Sequence, residues 1–152
     1  MNSETLHDEI LIQLEAMSII VDELIALQND VGKSEPSLRD KTAAAAFLAQ
    51  FYNGIENVMK RISYHHSIPL PEGETWHVEL FQRFTIPPYP GLPPLFDDDL
   101  ADSLAPYRRF RHVVFHSYGF QLEWDRMADG VKNISNVFAK FNKSVTAYID
   151  SF

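Results

Sequence analysis

Apolar residues recur at three- and four-residue steps over most of the chain, beginning with Leu6, Ile10, Leu14, Met17, Val21, Leu24 and Leu27. This spacing puts one side chain per turn on a common face and predicts a long amphipathic helix from Ser3 to about Gly32. Ser3 is a candidate cap with acids in the turn that follows, and Gly32 suits a helix stop. A second helix is expected to begin near Ser37 and run through "TAAAAFLAQFYNGIENVMKRISYHH", with Phe47, Phe51, Ile55, Val58 and Ile62 as its buried stripe. The four alanines favour helix and let a neighbour come close. Gly54 costs about 1 kcal/mol relative to alanine inside a helix, so its position predicts a tight helix crossing.

"SIPLPEGE" interrupts the pattern. A short third helix is expected in "TWHVELFQRF", with Thr75 as cap, followed by "TIPPYPGLPPLF", whose five prolines exclude a helix interior and predict an extended, semi-rigid surface loop. A fourth helix reads from "DDDLADSLAPYRRFRHVVFH", with Asp97 to Asp99 at its positive end and Pro106 predicting a kink or a late start. A fifth carries Leu122, Met127, Val131, Ile134, Phe138, Phe141 and Val145 inward. No alternating strand pattern and no internal repeat occurs. The fold class expected is therefore all-α, an up-and-down bundle of about five helices in one domain over residues 1–152.

Composition adds exclusions. The chain has 152 residues, no cysteine, and a formal charge of −8. Disulfides and thiolate metal sites are excluded, in keeping with a reducing cytoplasm. The N-terminus lacks the basic-then-apolar layout of a signal peptide, and no apolar run is long enough for a membrane helix. Charge is unevenly spread: residues 1–40 hold nine acids and two bases, whereas residues 107–152 hold seven bases and four acids. An acidic body argues against a broad nucleic-acid surface but allows a local phosphate site, and the dense basic cluster is "YRRFR", Tyr107 to Arg111.

Arg111 and His116 lie five apart, about 140° around a straight helix, so both face one site only where the helix ends near His116 or a second subunit completes the site. Taken alone, Arg111 also suits a surface ion pair, His116 a solvated helix end, and Tyr118 a core or rim aromatic. His112 and His116 have the i, i+4 spacing of some zinc sites, but no acid lies between them and no metal site is expected. His65 and His66 read as a helix-end pair pointing apart, favoured by the negative terminus. Glu56 and Asn57 fit either a cleft wall or a solvated helix face.

The pattern Arg111-x4-His116-x-Tyr118, with a polar residue (His112) directly after the arginine, resembles the signature of the HEPN family. It is most similar to the toxin subunits paired with minimal nucleotidyltransferase antitoxins. "NGIENVMKRI" and "GETWHVELFQRF" are similar to helical segments of such toxins, so the likeness covers most of the chain. His112 departs from the asparagine or aspartate of many relatives, which leaves its role open.

The resemblance implies a homodimeric, metal-independent endoribonuclease that needs no cofactor. His116 would transfer a proton and Arg111 would bind phosphate and stabilise the transition state, while Arg108, Arg109 and His112 would hold the RNA backbone. These residue types suit the task, since histidine exchanges protons near neutral pH and arginine presents a planar fork to phosphate. The resemblance further implies that the partner transfers AMP from ATP to Tyr118, silencing the toxin. A second reading keeps the fold and partner but makes the chain a non-catalytic subunit that presents substrate to the nucleotidyltransferase.

Overall fold

The computed structural model describes residues 2–115, 118 and 121–152, and among these the secondary structure is helical with no strand. The first helix, α1 (Ser3–Val31), is capped by Asn2, not Ser3: the Asn2 side chain accepts the Thr5 N–H at 2.8 Å. It stops at Gly32, whose φ of 56° favours glycine and whose N–H donates to the Gln28 carbonyl. Next, α2 (Leu38–His65) opens with a reciprocal capping box, in which Ser37 accepts the Asp40 N–H at 3.1 Å and the Asp40 carboxylate accepts the Ser37 N–H at 3.0 Å.

The short α3 (Trp76–Gln82) starts after Thr75, whose hydroxyl makes no capping bond. The fourth helix, α4 (Asp98–Phe115), is anchored by Asp97, which accepts the Leu100 N–H at 2.8 Å. It does not start late: Pro106 lies inside it. The missing proline N–H leaves the Asp102 carbonyl without its usual partner, and both residues are exposed, where water can serve instead. Finally, α5 (Trp124–Asp150) closes the bundle.

Paired residues give the directions. Glu9 meets Arg61, Gln13 meets Asn57 and Met17 meets Gly54, so α1 and α2 run antiparallel. Tyr107 donates to the Gly130 carbonyl and Lys140 to Asp99, so α4 and α5 do as well. Packing joins α1 to α2 and α5, and α2 to α3, α4 and α5, which makes α2 the central element. The bundle is the all-α, up-and-down architecture that the periodicity predicts.

One hydrophobic cluster takes side chains from all five helices. The expected stripes lie inward, except that Leu27, Phe47 and Phe138 are only partly buried. Phe51 on α2 sits edge-on to Tyr107 of α4 at 5.3 Å and to Phe138 of α5 at 6.2 Å, tying three helices at one level. The proline-rich segment is more than a surface strap. Leu92, Leu95 and Phe96 are buried, and the Phe96 ring stacks on Phe81 at 5.2 Å. Prolines exclude helix but not burial, and the apolar residues between them fill the space beside the short α3.

His65 and His66 do not point apart. Their rings meet edge to face at 5.0 Å, because His66 has already left helical geometry, with ψ of 7°. The His66 ring hydrogen-bonds the Tyr148 hydroxyl, and burial, followed by the nearby His65, pushes its pKa below the ordinary histidine value. His66 is therefore biased toward the neutral form and is not the helix-end cation expected. Among the described residues, no helix is long and apolar enough to cross a membrane.

Gly54 explains the α1–α2 crossing. A Cβ there would come within 2.5 Å of Met17 Cγ and 2.8 Å of Met17 Sδ, inside contact distance. Gly54→Val is expected to destabilise the protein by about 2 kcal/mol through overpacking. A double-mutant cycle with Met17→Ala, followed by urea denaturation, should show strong coupling between the two sites. Additive effects would place the strain elsewhere.

Candidate functional site

The site begins with an acid in an apolar arc. On α2, Tyr52, Ile55, Glu56 and Met59 are all buried, and Glu56 retains only 2% exposure. Ionised carboxylates are seldom buried this deeply without partners. Glu56 has two. Its Oε2 lies 2.5 Å from His77 Nδ1 on α3, and its Oε1 lies 3.4 Å from Arg111 Nε on α4. The Arg111 Nε–H donates to Asn53 Oδ1 at 2.7 Å. Asn53 and Glu56 share a helical face three residues apart, so α2 grips the guanidinium with an amide and a carboxylate together.

His77 completes the group. Its Nε2 is 3.3 Å and its Nδ1 3.5 Å from Arg111 Nη1. The Trp76 indole lies against the imidazole, with ring centroids 3.4 Å apart, and Lys60 lies 4.8 Å over that indole. One buried carboxylate, an arginine fork and an imidazole thus hold α2, α3 and α4 together.

A cavity of about 610 Å³ opens in front of this group, lined by Tyr52, Glu74, Thr75, His77, Val78, Arg108, Arg109, Arg111 and His112. The Arg108 guanidinium packs over the Phe81 ring at 5.0 Å, whereas Arg109 and His112 are exposed. The Tyr52 hydroxyl is buried without a hydrogen-bond partner among the described residues. Burial, then the Glu56 charge, drive its pKa upward against Arg108 and Arg111, so it is a neutral donor.

Four of the sequence-predicted site residues, Arg108, Arg109, Arg111 and His112, therefore meet at one cavity. Tyr118 lies outside it and is 72% exposed; its N–H donates to the Gln121 side chain and its carbonyl accepts the Gln121 N–H, each at 2.9 Å. His116 lies outside the described residues. Asn57 is no cleft residue, since its amide donates to Gln13 on α1 at 3.4 Å. The solvated-face reading of Glu56 is overturned by its burial. Asn53, His77 and Tyr52 escaped sequence reasoning as site residues. A signal existed for Glu56: it falls four residues after Tyr52 and three before Met59, within the apolar arc of α2. No three histidine, aspartate or glutamate side chains among the described residues gather as a metal-ligand set.

The fold and the site together define an all-helical bundle in which arginines and histidines gather around a buried carboxylate. The family model described as HepT-like protein matches residues 43–152, which include every residue of the cavity wall. The chain belongs to the HepT-like family of HEPN proteins. No curated protein and no solved structure matches it.

Removing the shared carboxylate should be costly. Glu56→Ala is expected to lower stability by about 2 kcal/mol or more, because Arg111 and His77 lose their common anion. Asn57→Ala on the same helix, with one long amide contact, should change it by less than about 0.5 kcal/mol. Denaturant titration of both variants checks this contrast.

Proposed function

We propose that this chain is the ribonuclease toxin of a toxin–antitoxin pair, cutting RNA at the cavity that Arg111 lines. The observation that carries the reading is the mounting of Arg111. A guanidinium held by Asn53 and Glu56 from behind keeps a fixed orientation toward the cavity, as phosphate binding requires. Arg108, Arg109 and His112 add donors around the same space and suit the backbone of a single strand.

RNA carries its own nucleophile. The 2′-hydroxyl attacks the adjacent phosphorus, Arg111 stabilises the growing negative charge, and His116 gives a proton to the departing 5′-oxygen. No metal ion takes part in these steps. We propose a homodimer with two such sets facing one cleft, located in the cytoplasm with RNA and a minimal nucleotidyltransferase as partners. The alternative of a non-catalytic, substrate-presenting subunit differs in one respect: it does not require RNA cleavage by the purified chain.

The purified protein is expected to cleave RNA in EDTA, while Arg111→Ala and His116→Ala each lose at least about 10²-fold in rate and keep the helical circular dichroism. No cleavage by the parent, or full cleavage by both variants, would falsify this reading. Silencing is expected at Tyr118, whose exposure lets another enzyme reach the phenol. An added AMP brings a phosphodiester charge that competes for the arginines. After incubation with the partner nucleotidyltransferase, ATP and magnesium, intact-mass measurement should show AMP on the parent and none on Tyr118→Phe. Inhibition without added mass would mean that binding alone neutralises the toxin.

A further inference from the structure

We propose that His77 is the general base of the RNA cleavage, accepting the 2′-hydroxyl proton at Nε2. The assignment rests on the ribonuclease reading above and adds a residue outside the arginine–histidine signature. Cleavage through the 2′-hydroxyl needs two proton transfers, one from the attacking oxygen and one to the leaving oxygen. His116 supplies the second. The first needs a base beside the phosphate-binding fork, because the attacking oxygen approaches within about 3–3.5 Å of the phosphorus that the fork holds.

His77 occupies that place. Its Nε2 lies 3.3 Å from Arg111 Nη1, and the residue lines the cavity. The buried Glu56 carboxylate at 2.5 Å from Nδ1 favours the tautomer with hydrogen on Nδ1, leaving Nε2, across the ring from that contact, with the lone pair that can accept a proton. The same carboxylate stabilises the imidazolium once the proton arrives, the logic by which a carboxylate orients a catalytic histidine in hydrolases. Trp76 covers one face of the ring and fixes its plane. Arg111 Nη1 is nearly equidistant from Nε2 and Nδ1, so the guanidinium lies over the ring, and a 2′-hydroxyl beside a phosphate bound to the fork would approach Nε2 in the ring plane.

The step balances. The 2′-O–H proton passes to His77 Nε2, the 2′-oxygen bonds to phosphorus, the P–O5′ bond breaks, and the 5′-oxygen takes its proton from His116. The products are a 2′,3′-cyclic phosphate and a 5′-hydroxyl. The charged groups facing His77 are Glu56 from α2, Arg108, Arg109, Arg111 and His112 from α4, and Glu74 at the entrance to α3. His77 places imidazole nitrogens within reach of both Glu56 and the fork.

The test is His77→Gln, assayed for cleavage across pH beside the parent, with circular dichroism as the folding control. The expected result is a loss in kcat of about 10²-fold or more, KM within a few-fold, and disappearance of the limb in which rate rises with pH. A parent that cuts no RNA overturns the ribonuclease reading and this assignment with it. A cutting parent matched by His77→Gln overturns the assignment alone. A variant that loses kcat but keeps that limb makes His77 a positioning residue for Arg111 and overturns the base role. His77→Ala with added imidazole gives a second readout: recovery that follows the free-base concentration supports the assignment, and no recovery in the folded variant overturns it.

Discussion

A carboxylate out of water must be satisfied within the protein, and Glu56 is satisfied by two other helices. An unpartnered charge at this depth would cost several kcal/mol, enough to remove much of the stability of a domain this size. Arg111 from α4 and His77 from α3 answer that demand. The consequence is structural and chemical at once. Helix α3 has only seven residues, too few to stand alone, and it is held by Leu80 and Phe81 in the core and by His77 on Glu56. The guanidinium that α4 carries is turned by the same carboxylate toward the open cavity.

Charge separation along the chain gains meaning from this arrangement. The body is acidic, yet Arg108, Arg109, Arg111 and His112 concentrate on the stretch of α4 that forms the cavity wall. Negative charge therefore dominates over the acidic α1, and positive charge is concentrated at the cavity. The wall is also partly apolar, with Val78 beside Thr75.

Membership in the HepT-like family accounts for the fold and for the matched region over residues 43–152. Helix α1 lies before that region, but it buries Leu6, Ile10, Leu14 and Met17 against the rest of the bundle and closes over Gly54 of α2. It is therefore part of the same core, and its contribution is packing: it covers the side of α2 opposite the cavity, and Asn57 faces it through Gln13.

Much of the fold was legible along the chain, because helix periodicity, caps and breakers act within a few residues. The three long apolar stripes, the Ser37 start, the Gly32 stop and the crossing at Gly54 all follow from such local rules. The arginines and His112 were legible as a basic cluster, and the signature marked Arg111, His116 and Tyr118. Burial of the proline-rich segment was not legible, since it depends on space left by a distant element. Nor was the meeting of His65 with His66, which turns on one backbone angle past a helix end. The grouping of Glu56 and His77 with Arg111 joins residues 21 and 34 apart, and Arg111 with Asn53 spans 58. The sequence by itself determined the helices and which residue types were available for chemistry. Only the tertiary structure decided that a glutamate on α2 would lose its water and draw an imidazole and a guanidinium to one point, because desolvation is set by what packs around a side chain and not by its neighbours in the chain.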